Sequence, residues 1–262
     1  MLPTYFISHG GGPWPWVPAW RRRFDKLEKS LVAIPRAISE KPRAALVVSG
    51  HWEEPHFAVM GASRPGMVYD YYGFPAETYR IVYPAQGAPE IAMRTVDLIR
   101  AAGLPAQIDD RRGFDHGAFV PLFVMYPDAD IPVFQLSLQA GYDPLRHIEL
   151  GRALAPLREE GVLIIGSGLS YHNLGLFGDG AQEPSEAFDH WLADVLASPP
   201  EKRTPALVSW EKAPYARVCH PKEDHLAPLF VALGAAESEQ ATRVYHEQGI
   251  FGGVTASSYK FG

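Results

Sequence analysis

The sequence predicts a single α/β domain in which helices pack against a β-sheet. Short apolar runs alternate with longer helical patterns along the 262 residues, which is typical of layered α/β proteins. Several of the short runs are apolar throughout, as expected for strands that are covered on both faces. Neither an internal repeat nor a low-complexity linker divides the chain, so one domain over residues 1–262 is the predicted organisation.

Eight segments are predicted to be β-strands because they are short, apolar and bounded by turn-forming residues. In chain order they are Tyr5–Ser8, Ala44–Ser49, Phe57–Gly61, Ala106–Asp109, Val133–Ser137, Leu163–Gly166, Thr242–His246 and Val254–Tyr259. Between the third and fourth strands, residues 62–86 are rich in tyrosine, glycine and proline. This stretch is predicted to be a long ordered loop, and such loops in compact domains usually serve as lids or walls of binding sites.

Six longer segments are predicted to be helices. In chain order they are Trp16–Ile34, Pro89–Ala102, Pro144–Glu160, Ser185–Ser198, Pro205–Lys212 and Glu223–Leu233. In the second of them one stripe is shared by Ile91, Val96, Leu98 and Ile99, and Gly103 supplies a stop signal. The last follows Pro221 and begins with two acidic residues, which suit a helix N-terminus.

Composition argues against several classes of partner. The formal net charge is -6 and no long basic run occurs, so nucleic acid is not the expected main partner. No apolar run approaches the roughly 18 residues that span a bilayer. The single cysteine, Cys219, excludes an internal disulfide and suits a reducing compartment, and no secretory signal pattern precedes the first strand. A cytoplasmic location is therefore predicted, with the protein a monomer or small homo-oligomer.

Three of the strand-like runs each lead into a glycine-containing corner that carries a histidine. These histidines are His9, His51 and His172. A residue at the end of a strand has a well-fixed position. Neutral imidazole is the commonest protein ligand for a catalytic metal. A lone histidine beside a strand is more often a hydrogen-bonded structural residue, but the repeated placement makes a metal site about as plausible.

Two further histidines lie in contexts that favour chemistry. His116 lies in a tight Gly-Phe-Asp-His-Gly loop, and His225 lies at the predicted start of the last helix. Asn173 follows His172 and could orient it or a bound oxygen species. The remaining histidines are predicted to be structural or exposed: His56, His147, His190, His220 and His246. No compact metal motif and no GxSxG elbow is present, so the residues alone indicate some metal site and give no support for a serine hydrolase.

Short segments over almost the whole chain match one known family. The sequence resembles the class III extradiol ring-cleavage dioxygenases of the LigB superfamily, in the DOPA 4,5-dioxygenase branch. The matching segments, in family order, are Ser8-His9-Gly10, Ser49-Gly50-His51-Trp52, Gly73-Phe74-Pro75, Tyr83-Pro84-Ala85, Phe114-Asp115-His116-Gly117, Tyr126-Pro127-Asp128-Ala129-Asp130-Ile131-Pro132, Ser167-Gly168 with His172-Asn173-Leu174, and Glu223-Asp224-His225-Leu226-Ala227-Pro228-Leu229.

This resemblance implies a three-layer αβα sandwich around a mixed central sheet, with a metal at one end of the sheet. It implies that His9, His51 and His225 bind the metal. His172 would be the acid/base histidine, and in some members it counts as a fourth ligand. His116 would bind or protonate the substrate, a small aromatic diol of the DOPA type that reacts with O2. The Gly-Gly-Gly-Pro run after His9 is longer than the Gly-Ser-Pro form of some relatives, which leaves the pocket wall there undetermined.

The metal is predicted to be Fe(II) in the working enzyme and Zn(II) in purified protein. Many extradiol enzymes hold Fe(II) with two histidines and a carboxylate, whereas this chain offers His225 where other branches place a glutamate. Three histidines with an open position are also the usual catalytic zinc set, but zinc has no redox chemistry with which to activate oxygen.

The aromatic loop offers walls for a flat ring, and two other functions remain open. Tyr72 and Phe74 are predicted to contact the substrate, as is Asn173, although ordinary loop packing explains the two aromatic residues equally well. The alternatives are a zinc-dependent hydrolase, which would use the same ligands to acidify bound water, and a non-catalytic metal-binding protein on the same scaffold.

Overall fold

A computed structural model describes residues 1–262, and an eight-stranded mixed sheet lies at its centre. The strands are β1 Thr4–Ser8, β2 Ala44–Glu54, β3 Phe57–Met60, β4 Ala106–Asp109, β5 Val133–Gln139, β6 Val162–Gly168, β7 Ala241–Ile250 and β8 Val254–Phe261. Their order across the sheet is β4-β3-β5-β2-β6-β1-β8-β7. Strands β1, β2, β5 and β6 run parallel, and β8 is antiparallel to β1. The predicted single α/β domain with a mixed sheet is confirmed.

Nine helices flank this sheet. They are α1 Pro18–Arg23, α2 Asp25–Ala37, α3 Pro89–Ala101, α4 His116–Met125, α5 Pro144–Glu159, α6 Asp179–Ala197, α7 Pro200–Val208, α8 Ala216–Cys219 and α9 Ala227–Gly234. Helix α9 packs on β1, β2 and β6 and also on α5, whereas α4 packs on β2 and β6 and also on α2. None of the helices is both long and apolar enough to cross a bilayer.

Two predicted helices have different boundaries for identifiable reasons. The predicted helix Trp16–Ile34 is divided into a short 3₁₀ turn, α1 and α2, because Val17 is extended before Pro18 and because Phe24 leaves the helical conformation. The predicted helix Glu223–Leu233 begins at Ala227, where Pro228 occupies the first turn. His225 therefore lies in the turn before α9 and not in the helix.

Two other predicted helices begin earlier than expected. Helix α6 starts at Asp179 and continues through Pro184, and α7 starts at Pro200 and ends before a 3₁₀ turn over Trp210–Lys212. The fully buried Ala181 shows that tertiary packing stabilises the turns before Pro184.

Helix α4 was not predicted, because its sequence has no helical periodicity. Eight of its ten residues are buried, so it is apolar on every side and contains Pro121 in its interior. Its start is set by Asp115, whose side chain accepts a hydrogen bond from the amide of Ala118. His116 is thus the first residue of a well-fixed buried helix and not part of the tight loop that the sequence predicted.

The parallel strands bring the ends of three sequence segments to one edge of the sheet. Ser8 at the end of β1 pairs with Gly168 at the end of β6, and Ser49 of β2 pairs with Ser167. The side chains that follow these positions therefore emerge side by side. Strand β2 extends beyond the predicted end to Glu54, and its register with β5 shifts between Val48 and Glu53, so His51 lies at an irregularity within the strand.

His147 and His220 are fully buried structural residues, in agreement with the sequence prediction. Burial lowers the pKa of each to about 4. The Nδ1 of His147 lies 2.8 Å from the carbonyl oxygen of Asp143, and its Nε2 accepts a hydrogen bond of 3.2 Å from the amide of Gln139. Both nitrogens are therefore used by the neutral ring.

We expect the protonation of His147 at acid pH to lower the free energy of unfolding. The unfolded chain takes up this proton near pH 6.5, whereas the folded protein resists it until about pH 4. The stabilisation is fully present above pH 6.5 and is lost as the pH falls towards 4, at a cost of roughly 3 kcal/mol. Urea unfolding from pH 7 to 4 should show a shallower pH dependence for His147→Gln than for the wild type, while the exposed His190→Gln leaves the slope unchanged. Equal slopes in all three proteins would contradict this prediction.

Candidate active site

Five histidines surround the inner end of one cavity of about 540 Å³. They are the five that the sequence singled out: His9, His51, His116, His172 and His225. Their rings are close together: the centroid of His9 lies 5.0, 5.3 and 5.2 Å from those of His51, His116 and His225. The fold thus brings together residues from β2, α4, the loops that follow β1 and β6, and the turn before α9.

His9, His51 and His225 form a compact group of nitrogen donors. Each offers one ring nitrogen, and the three lie within 4.8 Å of one another. The Nε2 atoms of His51 and His225 are 3.1 Å apart. Two nitrogens that each lie about 2.0–2.1 Å from one tetrahedral ion would be separated by about 3.4 Å. The spacing therefore fits a shared metal ion.

The polar atoms of this group also fit a metal. The side chain of His9 is 1% exposed, yet neither of its ring nitrogens has a hydrogen-bond partner. Burial, reinforced by the neighbouring histidines, holds the pKa of His9 well below its usual value, and burial does the same for His225. Both rings are therefore neutral at physiological pH, as a metal ligand must be.

His225 reaches the sheet edge because glycines leave room for its backbone. A Cβ atom on Gly168 would overlap the carbonyl oxygen of His225, and one on Gly50 would crowd the backbone of Asp224. The amide of Leu169 donates to the same His225 oxygen at 3.0 Å. The turn before α9 therefore lies directly on the ends of β2 and β6.

Asp70 links two of the histidines. Its Oδ1 lies 2.7 Å from Nδ1 of His116 and also accepts the His116 backbone amide at 3.1 Å, while its Oδ2 lies 3.1 Å from Nδ1 of His51. The carboxylate is partly buried, but the two histidines outweigh this burial and lower the pKa of Asp70. For His51 the reverse holds: burial lowers its pKa, and Asp70 with two other aspartates more than offsets that effect.

His116 is held by its helix as well as by Asp70. Asp115, at the start of α4, is fully buried and accepts hydrogen bonds from Ser49 at 2.7 Å and from Gln135 at 2.8 Å. Arg112 donates both to Asp115 and to the backbone oxygen of His51. Burial lowers the pKa of His116, so its ring favours the neutral form.

His172 lies on the opposite side of the group, against His225. The two rings are stacked, with centroids 3.4 Å apart and planes inclined by 23°. Its Nδ1 lies 3.5 Å from Oδ1 of Asp224, an oxygen that also lies 3.0 Å from Nδ1 of His225. Since Nδ1 faces Asp224, Nε2 is the nitrogen left for exchange of a proton with a ligand. The side chain is 18% exposed and lines the cavity.

The three side chains predicted to contact the substrate all line the cavity, but they differ in how exposed they are and in whether other residues already hold them. Tyr72 is 90% exposed and lies at the mouth. Phe74 is half-buried, with its ring centroid 5.2 Å from that of Trp20. The amide of Asn173 donates to the carbonyl oxygen of Val218 and accepts from the amide of Gly175, so this side chain is committed to holding its loop.

Asp70 and Asp224 were missed by the sequence analysis. Asp224 is adjacent to His225, so the acidic residue beside a proposed ligand was an available signal. Asp70 lies in the long loop, which folds as predicted around a 3₁₀ turn over Ala76–Arg80. Nothing in the spacing of Asp70 points to a histidine partner, because its two contacts are made by tertiary folding alone.

Replacing Asp70 by asparagine is expected to weaken metal affinity or activity by about 10–100-fold, since hydrogen-bond partners of this kind orient their imidazoles. An amide oxygen can still accept one hydrogen bond, but it carries no charge with which to hold two Nδ1–H groups. Zn(II) affinity measured by competition with a chelator tests this, with the exposed Asp128→Asn as the matched control. Wild-type affinity and activity in Asp70→Asn would show that the link between the two histidines is dispensable.

Comparison with known proteins adds independent information. Residues 4–262 match the family model described as the catalytic LigB subunit of aromatic ring-opening dioxygenase. The chain is 40% identical over 264 residues to a protein of Beta vulgaris named 4,5-DOPA dioxygenase extradiol, covering 98% of this chain and 96% of that protein. Proteins of the same name from Mirabilis jalapa and Escherichia coli K12 are 36% and 33% identical, covering 100% of this chain and 97% and 95% of theirs.

The fold is also similar to a solved structure. The crystal structure of an uncharacterized protein from Escherichia coli K12 superposes with a TM-score of 0.79 at 29% identity, and each chain is covered completely. The similarity therefore extends over the sheet, both helical layers and the segments that carry the five histidines.

Proposed function

Because the chain belongs to the LigB family and is an extradiol dioxygenase, we propose that it opens the ring of a catechol with O2 at a metal held by His9, His51 and His225. The observation that carries this proposal is the buried His9 ring, whose two nitrogens lack partners beside two further histidine nitrogens. The names of the relatives make L-DOPA the reference catechol.

The proposed working metal is Fe(II), which would supply the electron transfer needed to activate O2, and Zn(II) is the proposed occupant after purification. The three histidines would hold this ion at the inner end of the cavity. The aromatic and glycine residues around them would exclude water once a substrate fills the cavity, which would strengthen its electrostatic interactions.

His172 is proposed as the residue that moves the proton. Its Nε2 takes a proton from a substrate hydroxyl and later returns it to the opening ring, while Asp224 fixes the ring from the Nδ1 side. His116, whose Nδ1 faces Asp70, is proposed to bind the substrate through Nε2, which in the neutral ring accepts a hydrogen bond from a substrate hydroxyl on the other side of the cavity.

The donor set itself favours one alternative. Three neutral histidines with an open position are the usual catalytic zinc arrangement, which would lower the pKa of bound water towards about 7 and support hydrolysis. A hydrolase of this kind would act without oxygen and would not require a catechol.

A metal-exchange experiment separates the two functions. Apo-protein is loaded anaerobically with Fe(II) or Zn(II), given a panel of catechols that includes L-DOPA, and then exposed to air. We expect the Fe(II) protein to consume one O2 per catechol and to form a yellow product, and the Zn(II) protein to do neither. Absence of oxygen uptake with every catechol, although the metal is bound, would refute the dioxygenase proposal, and ester hydrolysis by the Zn(II) form would favour the alternative.

A further inference from the structure

The cavity is much larger than the histidine cluster, and its outer part is aromatic. Resting on the proposed function, we propose that the catechol carries an uncharged, hydrophobic substituent that binds in this outer part, and not a charged side chain such as that of DOPA. We call this part the aromatic lobe; its residues are Trp20, Phe24, Phe74, Phe177 and Phe251, and all five line the cavity.

The rings of the aromatic lobe pack on one another around Phe251. Its ring centroid lies 5.7 Å from that of Trp20, 5.7 Å from that of Phe24 and 5.4 Å from that of Phe177. Rings at these distances form stable edge-to-face pairs, so they present a fixed apolar wall. An apolar group placed against that wall gains hydrophobic contact without first ordering the protein.

The glycine run after His9 connects the lobe to the histidines. A Cβ atom on Gly11 would overlap the ring of Trp20, and one on Gly12 would overlap the ring of Phe74. Glycine at these two positions therefore allows both rings to lie against the backbone next to His9. In the segment whose pocket wall the sequence left undetermined, the lack of Cβ atoms thus admits two large aromatic side chains.

Phe251, at the centre of the aromatic lobe, has an unusual backbone conformation. It lies in the turn between β7 and β8 with φ of +51°, in the left-handed region that disfavours a residue with a Cβ atom. Its carbonyl oxygen accepts a hydrogen bond of 3.1 Å from Gly178, which fixes the turn. A strained aromatic residue that lines a cavity points to a role in ligand contact.

The charges around the cavity disfavour an acidic substituent. None of the 28 lining residues is lysine or arginine, and the one lining carboxylate, Asp70, is engaged by two histidines. Arg23 lies with its guanidinium carbon 4.9 Å from the Phe251 ring centroid, but it does not line the cavity. A carboxylate in the lobe would lose its hydration without gaining a cationic partner.

The proposal predicts a graded dependence on chain length. Each methylene that the lobe removes from water should raise kcat/KM by up to about fourfold. Replacing the terminal ethyl group of a butyl chain by a carboxylate of similar size should lower kcat/KM by about tenfold or more. The matched pair is 4-butylcatechol and 3-(3,4-dihydroxyphenyl)propanoate, with L-DOPA as the zwitterionic reference.

Alanine variants test whether the aromatic lobe causes the preference for the butyl substrate. Phe177→Ala removes a ring that is 44% exposed, so folding should survive, and Phe251→Ala removes the centre of the lobe. Both should reduce the preference for the butyl substrate. Phe123→Ala is the control, because Phe123 packs on Trp16 and does not line the cavity. A selective loss of carboxylate turnover in Arg23→Gln would overturn the proposal, since it would identify a cationic partner for an acidic substituent.

A binding assay keeps this inference separate from the proposed function. Phenols cannot be cleaved as catechols are, so 4-butylphenol and 3-(4-hydroxyphenyl)propanoate can be titrated into the Zn(II)-loaded protein by calorimetry. Tighter binding of the butyl compound, reduced in Phe177→Ala, supports the lobe even if no catechol is ever cleaved. Equal or tighter binding of the carboxylate refutes the lobe, even if ring cleavage is demonstrated.

Discussion

Replacing His9 by alanine is expected to eliminate metal binding and, with it, ring cleavage. His9 is the most buried of the three proposed ligands, and its nitrogens have no other partner, so nothing in the protein can substitute for it. The decrease in kcat/KM should be larger than the decrease of about 10–100-fold that typically follows removal of a residue hydrogen-bonded to a metal ligand. Two donors alone leave a site open to solvent exchange.

Metal content and stability measure this prediction independently of activity. A ligand present at about 1,000 times its Kd raises the free energy of unfolding by about 4 kcal/mol, so Zn(II) should raise the wild-type melting temperature. The same addition should leave His9→Ala unshifted, whereas the exposed His56→Ala should respond like the wild type. Retention of one tightly bound metal per chain in His9→Ala would remove this residue from the ligand set.

His172→Gln is expected to lower kcat by about 10²–10⁴-fold while metal affinity stays near that of the wild type. Glutamine can donate a hydrogen bond, but it cannot take up and return a proton. The stacking of His172 on His225 places it beside the proposed metal, so the two possible roles have to be separated by measurement.

Single-turnover ring cleavage and chelator competition provide that separation. Loss of the chemical step with unchanged Zn(II) affinity, together with loss of one limb of the pH–rate profile, supports the acid/base role. A parallel loss of Zn(II) affinity would instead make His172 a fourth ligand. The exposed His190→Gln is the control for a histidine change that touches neither role.

Individual strands of the sheet could be predicted where their amino-acid composition is strongly apolar. The apolar runs that predicted β1, β2 and β6 end in glycine or serine, and their local signal is strong. Helix α4 was not predictable in this way, because total burial removes the polar face that makes helical periodicity visible. The start of α9 was misplaced since acidic residues before Pro228 imitate a helix N-terminus.

The five histidines could be identified from sequence context, but their arrangement could not. That His51 is linked through Asp70 to His116 depends on how the long loop folds back over the sheet edge. The stacking of His172 on His225 depends on Gly50 and Gly168, which leave room for the backbone of the turn before α9. The positions of these glycines in the sequence do not reveal which segment packs against them. Local pattern therefore selects the residues, and tertiary contacts determine their partners.

The position of His225 has a consequence for biosynthesis. The turn before α9 completes the histidine cluster, and β1 is flanked by β8, with Thr4 opposite Phe261. The cluster can therefore form only after residue 225 has left the ribosome, long after His9 has done so. Binding of an ion at the proposed site would then be a late event in synthesis, and a nascent product that ends before His225 would lack one of the proposed ligands.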